Sequence, residues 1–166
     1  NPVNDAPVIV AIENQVIDED GSLALDLLAS DVDGDDLYFG AEVDGNASIV
    51  IDDENLLTIV PNSNFNGVIE IMVSVTDVML TDITIFTLTV TPVNDSPILS
   101  FIPNQEIDED EFLIIELNAS DIDGDDLLYS IAGGDNIIAT LDGSDVSFTT
   151  PADYYGSESF TVSVSD

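Results

Sequence analysis

The chain states one pattern twice. Asn1-Pro-Val-Asn-Asp-Ala-Pro7 returns as Thr91-Pro-Val-Asn-Asp-Ser-Pro97, Ile17-Asp-Glu-Asp20 as Ile107-Asp-Glu-Asp110, and Asp31-Val-Asp-Gly-Asp-Asp-Leu37 as Asp121-Ile-Asp-Gly-Asp-Asp-Leu127, each pair 90 residues apart. A fixed interval of this length marks a tandem structural unit, here expected over residues 1–92 and 93–166. Each unit is close to the size at which a single hydrophobic core is marginal, and the chain has no cysteine to cross-link it. The repeated elements are acidic, so whatever stabilises one unit must handle carboxylates in the same places in the other.

Charge sharpens that demand. Of 166 residues, 35 are Asp or Glu and none is Lys, Arg or His, for a formal net charge of −35. Side-chain salt bridges are therefore impossible. Two carboxylates ~4 Å apart repel by roughly 4 kcal/mol at an effective dielectric near 20, and a few such contacts rival the stability of a small domain. Either the acids stand in water or bound cations neutralise them; adaptation to high salt would favour acids too. A hydrophobic content of 45%, set out in short alternating runs, is a folding composition rather than a disordered one. Without bases there is nothing to hold a phosphate backbone, which excludes nucleic acid as a partner, and an anionic membrane surface is disfavoured for the same reason. No apolar stretch approaches the ~18 residues of a membrane-spanning helix. The chain starts at Asn and shows no signal peptide, which leads us to expect a piece of a longer protein.

Strand signals dominate the local pattern. Leu23, Leu25 and Leu27 alternate with Ala24 and Asp26, and the second copy offers Leu113, Ile115 and Leu117 around Glu116. Ile71, Val73 and Val75 are echoed by Phe160, Val162 and Val164, with polar residues between most of them. A period of two with one apolar face predicts half-buried strands. The first unit then reads as about seven strands, roughly over 8–12, 22–28, 37–42, 48–51, 56–60, 69–75 and 83–90, separated by turns such as Asp44-Gly-Asn46. Seven short strands in under 100 residues predict an all-β Greek-key sandwich, twice over. The second unit ends at Asp166, the counterpart of Asp77, so its last strand is missing. Two origins are open: the chain belongs to a longer array of repeats, or a neighbouring chain donates the strand and builds a fibre.

Alternating strand direction places the acidic loops. Asp18, Glu19 and Asp20 turn at the bottom of the first unit, whereas Asp31, Asp33, Asp35 and Asp77 turn at its top, as do Asp121, Asp123, Asp125 and Asp166 in the second. The linker supplies Asn94 and Asp95, so the junction is expected to gather acids remote in sequence. Alternate residues in Asp121-Ile-Asp123 can point the same way, and Gly124 permits the tight turn that brings Asp125 or Asp126 near. Calcium takes six to eight oxygen ligands of this kind, and magnesium usually keeps its waters. Zinc and copper lose, because the chain offers neither His nor Cys.

Pro-Val-Asn-Asp linkers, an acidic turn after the first strand, Asp-x-Asp-Gly-Asp after the second, and an aromatic-x-Gly turn (Phe65 to Gly67, Tyr154 to Gly156) before a strand ending in Ser-Val-Ser/Thr-Asp resemble the cadherin-like tandem repeats of large bacterial surface adhesins. The resemblance covers the whole chain. It implies calcium at the junction between domains, held by Glu19 of the preceding domain, Asn94 and Asp95 of the linker, and Asp121 and Asp123 of the following one, with Asp166 as a further carboxylate. Asp5, Asp31, Asp33 and Asp77 would serve the junction before the first domain. Asp18, Asp20, Asp35 and Asp125, together with the second acidic turn Asp108, Glu109 and Asp110, complete the candidate ligands. The Asp-Arg-Glu element of cadherins has no match here.

The function expected of such a chain is that of a non-catalytic, extracellular or cell-surface module, the stalk or filament unit of an adhesin, made rod-like by calcium between neighbouring repeats or like chains. A carbohydrate- or protein-binding role is the alternative; it would call for an exposed aromatic patch, and Tyr154 and Tyr155 are expected to pack at the turn before Gly156 instead. Paired carboxylates could hydrolyse a glycoside, but these acids recur in both units at turn positions, which is a poor arrangement for one active site.

Overall fold

The computed structural model describes residues 3–166; Asn1 and Pro2, which open the first linker motif, lie outside the described residues. The chain divides into two compact units, Asn1–Val93 and Asn94–Asp166. Among the described residues every regular element is a strand.

In the first unit the strands are β1 (Val8–Ile9), β2 (Gln15–Asp18), β3 (Leu23–Asp26), β4 (Ala29–Ser30), β5 (Tyr38–Val43), β6 (Ala47–Ile51), β7 (Leu56–Pro61), β8 (Gly67–Thr76) and β9 (Thr81–Thr91). One sheet has the order β2-β9-β8-β5 and the other β3-β7-β6, with β1 paired to β4. Ile69, Ile71, Val73 and Val75 of β8 and Phe86, Leu88 and Val90 of β9 point inward and are buried, meeting Leu57 and Ile59 of β7. The period of two in the sequence is thus the alternation between core and water. Burying side chains of the size of Phe86, Leu88 and Val90 contributes roughly 1.5–3 kcal/mol each, so β9 alone supplies a large share of what stabilises a domain this small.

The strand expected over 8–12 is confined to Val8–Ile9, and a further strand that the sequence reading does not include follows over Gln15–Asp18. The chain from Val8 pairs first with β4, then crosses to the other sheet, where β2 lies parallel to β9 with Gln15 beside Leu88 and Asp18 beside Thr91. Asn14 marks the crossing: its side-chain oxygen accepts the N–H of Thr87 at 3.0 Å. By switching sheets, one stretch of chain covers an edge of each, which removes two open edges.

The second unit has β10 (Ile98–Leu99), β11 (Phe112–Glu116), β12 (Ala119–Ser120), β13 (Leu128–Gly133), β14 (Ile138–Asp142), β15 (Asp145–Thr149) and β16 (Phe160–Ser165). The sheets are β11-β15-β14 and β13-β16, with β10 on β12. Among the described residues, which run to Asp166, the counterpart of Asp77, none aligns with β9, and Gln105 to Asp108, the counterpart of β2, forms no strand because the partner it would need is β9. The consequence is an incomplete core: Leu117 and Val146 are the buried apolar residues here, while Phe160, Val162 and Val164 are only half-buried. Phe160 finds cover in an edge-on contact with Phe148 of β15, ring centroids 5.0 Å apart.

Candidate metal centre

The segment Asp31-Val-Asp33-Gly34-Asp35 follows β4 and folds around its own first carboxylate. Asp31 Oδ1 accepts the N–H groups of Asp33 at 2.7 Å, Gly34 at 3.0 Å and Asp35 at 3.5 Å. Gly34 makes the turn at φ +81°, a left-handed conformation that costs other residues about 1–2 kcal/mol. Carboxylate oxygens of Asp31, Asp33 and Asp35 come within 4.8 Å of one another as a result. The linker closes the group from the side: the Asp5 N–H donates to Asp33 Oδ2 at 2.8 Å and the Asn4 amide to Asp77 Oδ2 at 2.8 Å. Asp77, just past β8, is buried, and its Oδ1 takes the N–H groups of Met79 and Leu80 at 2.7 and 2.6 Å.

The second unit builds the same object. Asp121 Oδ1 accepts from Asp123, Gly124 and Asp125 at 2.9, 3.0 and 3.3 Å, and Gly124 sits at φ +80°. Asp123 Oδ2 takes the Asp95 N–H at 2.7 Å, and the Asn94 amide donates to Asp166 Oδ2 at 2.6 Å. Asp121, Asp123 and Asp125 again hold oxygens within 4.8 Å of one another. Residues 28 positions apart meet in each unit, as do residues 73 apart in the first and 72 apart in the second, which local turn preference alone would not bring about.

In both units one oxygen of the first aspartate is left over. Asp31 Oδ2 and Asp121 Oδ2 are buried atoms with no hydrogen-bond donor, and an unsatisfied buried carboxylate oxygen is costly. The surrounding field makes the cost plain in the first unit, where loss of water, and then the charges of Asp31, Asp33, Asp77 and Asp36, hold the Asp35 carboxyl above its ordinary range. Asp35 as a whole is exposed, so that loss of water is local to the turn. Asp77 is shifted the other way, because the Leu80 N–H and the Asn4 amide stabilise its ionised form more than its burial opposes it. A hard, oxygen-seeking cation satisfies an orphaned carboxylate oxygen amid like charges, and the donor set fits calcium in particular.

The remaining candidates lie elsewhere. Asp18, Glu19 and Asp20 sit where β2 and β9 end, and Asp77 lies beyond the opposite end of the β8–β9 pair, whose eleven-residue strand spans over 30 Å at ~3.3 Å per residue. Asp18 Oδ1 accepts the Thr91 hydroxyl at 2.7 Å, and Asp20 Oδ1 the Asn64 N–H at 3.1 Å, so both tie loops together. Glu19 differs. It is 6% exposed, its Oε1 takes the Val93 N–H at 2.6 Å, and its Oε2 is buried with no donor. In the second unit Asp108, Glu109 and Asp110 are exposed, since that unit has no counterpart of the Thr91 and Val93 backbone that seats Glu19.

Three features are not singled out by the sequence alone. Asn4 is legible in principle, because the repeat makes it the counterpart of Asn94. Glu158 is not. Aligning Ser-Val-Ser-Asp166 with Ser-Val-Thr-Asp77 puts it at the place of Ile69, a core position. Its carboxylate accepts the N–H groups of Asp135, Asn136 and Ile137, the Asn136 amide and the Tyr154 hydroxyl, at 2.8–3.2 Å. The Asn136 amide above all, then these N–H groups, bring its pKa down to about 2. Tyr155 corrects an expectation: Tyr154 packs against Gly156 as Phe65 does against Gly67, but Tyr155 takes the middle place of the turn, that of the exposed Asn66, and is 90% exposed.

Among solved structures, the human protocadherin-24 EC1-2 fragment (form II) is similar over 98% of this chain and 95% of its own, at 16% identity and a TM-score of 0.57. A family 107 endo-fucoidan hydrolase matches at 19% identity and a TM-score of 0.44 over 96% of this chain, which spans 26% of that enzyme's length. The titin Z1Z2 domains, in a complex with telethonin, match at 12% identity and 0.42 over 97% of this chain and 95% of theirs. No curated protein sequence matches. The likeness to cadherin repeats therefore holds at the level of fold. A model of the bacterial Ig domain matches residues 4–91 and again 94–166, and the chain belongs to that family.

Proposed function

We propose that the chain is a calcium-binding structural module of an extracellular or cell-surface protein, a stalk or filament unit without catalytic activity of its own. The observation that carries this reading is the orphaned inward oxygen, Asp31 Oδ2 and Asp121 Oδ2, at the same place in two copies of one turn. Asp5, Asp31, Asp33, Asp35 and Asp77 would hold the ion in the first unit, and Asn94, Asp95, Asp121, Asp123, Asp125 and Asp166 in the second. Glu19 is the carboxylate that the cadherin resemblance assigns to the junction. Calcium there would replace repulsion with a crosslink between successive repeats, which is the stiffening the cadherin resemblance implies. Extracellular calcium modules bind with Kd of roughly 0.1–1 mM, and at 100 times Kd one site adds about 2.7 kcal/mol of stability.

Calorimetric titration after exhaustive chelation tests the reading, with magnesium as control. Saturable calcium uptake is expected, with Asp31→Asn and Asp121→Asn each weakening one class of site by about tenfold or more, ~1.4 kcal/mol per tenfold. Absence of uptake, or uptake that neither substitution changes, would turn the acids into solvated surface.

A further inference from the structure

The two units tie down the loop after β5 and its counterpart β13 in opposite ways. In the first unit that loop, residues 44–46, offers carbonyls: the Asn62 N–H donates to Asn46 O at 2.9 Å and the Asn62 amide to Gly45 O at 3.2 Å. In the second unit the place of Asn62 falls to Pro151, since Tyr154 N–H donates to Pro151 O at 3.3 Å as Phe65 N–H does to Asn62 O at 3.1 Å. Proline has neither an N–H nor a side-chain donor, so that clasp cannot form. The loop there, residues 134–137, presents N–H groups instead. Gly133 at φ +115° and Gly134 at φ +78° set its course. A Cβ on Gly133 would stand 2.5 Å from Ser159 O, and one on Gly134 2.5 Å from the Phe160 ring, so only glycine lets the loop lie this close to the segment entering β16. Successive N–H groups turned one way make a concavity for an anion, and the Glu158 carboxylate fills it. Its Oε2 accepts from the N–H groups of Asp135 at 2.8 Å and Ile137 at 3.1 Å; its Oε1 accepts from the Asn136 N–H at 2.9 Å, the Asn136 amide at 2.8 Å and the Tyr154 hydroxyl at 3.0 Å.

We propose that Glu158 is an acid-releasable clasp: ionised, it holds the loop 134–137 against the segment entering β16, and on taking up a proton it lets that loop go while the sheet β11-β15-β14 stays formed. Hydrogen bonds to an ionised acceptor are roughly twice as strong as neutral ones, so neutralising Glu158 weakens the whole set at once. The proton it gains needs an acceptor, and among its five donors only the Tyr154 oxygen can accept one. The fold brings the Glu158 pKa from 4.5 to about 2, the Asn136 amide being the largest cause; the clasp is therefore whole above 4.5 and opens as pH falls from there toward 2. The other charged groups nearby are Asp135 on the loop itself, and Asp108 and Glu109, which stand near Ile137 and Tyr154. All are acids, and none can hold the N–H groups of the loop in place of Glu158. The first unit, with Ile69 at this position and a clasp of neutral groups, has no such step.

The test follows the backbone N–H signals of Asp135, Asn136 and Ile137 by NMR as the 166-residue chain is titrated from neutral pH into acid. The three are expected to move together in one step well below the ordinary Glu range, while the signal of Val146, buried in β15, keeps its place through that step. In Glu158→Gln the step is expected to vanish, leaving only what Asp135 itself contributes, and hydrogen exchange at residues 135–137 at neutral pH is expected to quicken at least tenfold. Asn136→Ala keeps the N–H and removes the amide, and is expected to move the step to higher pH. An unchanged step in Glu158→Gln would assign the titration to Asp135, Asp108 or Glu109 and overturn the proposal. Loss of the Val146 signal at the same pH as the loop would overturn it too, since the release would then be general unfolding. Should Glu158→Gln fail to fold, Asn136→Ala decides: a step that it leaves in place counts against the clasp.

Discussion

The two units share their acidic ends and differ in their cores. Hydrogen bonds around Asp31 and Asp121 match donor for donor, and Gly34 and Gly124 agree in φ within a degree. Yet the first unit buries an uninterrupted set from Ile9 to Val90, whereas the second fully encloses little beyond Leu117 and Val146. The acidic end therefore does not depend on a complete sandwich. It is built from a short turn, a linker and the end of one strand, β8 or β16, all present in both units, while the core of the first unit draws on β9.

The largest expected effect comes from making the first unit resemble the second. Phe86→Ala removes the bulkiest side chain that β9 contributes and should cost about 3–5 kcal/mol, bringing the melting of the first unit down toward that of the second, as scanning calorimetry would show. If it left the first unit unaffected, the core difference would not be the source of unequal stability.

Acid sharpens the contrast through Glu158. Its pKa, lowered to about 2 in the fold, means that its contribution is present above its ordinary range near 4.5 and is lost as pH falls from there toward 2. The second unit should therefore weaken across that window, and Glu158→Gln should flatten the change; circular dichroism melts between pH 5 and 2 provide the check. Ile69, at the same place in the first unit, has nothing to titrate.

The smallest effect should be the same in both units. Gly34→Ala and Gly124→Ala meet no neighbouring atom but force a side chain into φ near +80°, so each should cost about 1–2 kcal/mol. A large inequality between the two, measured by denaturant titration, would show that the acidic ends are less alike than their hydrogen bonds suggest.

Much of this was legible in the residues. The Asp-x-Asp-Gly turns and the strands β5 to β8 follow from spacing and period, because local geometry and one buried face decide them. What escaped were features decided by distant partners. The Gln-Val-Ile-Asp run of β2 carries too short an alternation to announce a strand, and its partner lies parallel some seventy residues away. Glu158 occupies a core register whose first copy is Ile69, so the repeat itself pointed to an apolar role, and only the N–H groups of residues 135–137 explain a carboxylate there.

The most direct measurement tracks the backbone amide signals of Gly34 and Gly124 by NMR as calcium is added to the chelated, isotope-labelled chain, with magnesium in parallel. Both N–H groups donate to the aspartate whose other oxygen has no donor. The account predicts that both signals shift and saturate with calcium, and do so at lower concentration than with magnesium. If both stay in place through millimolar calcium, the acidic turns do not hold the ion.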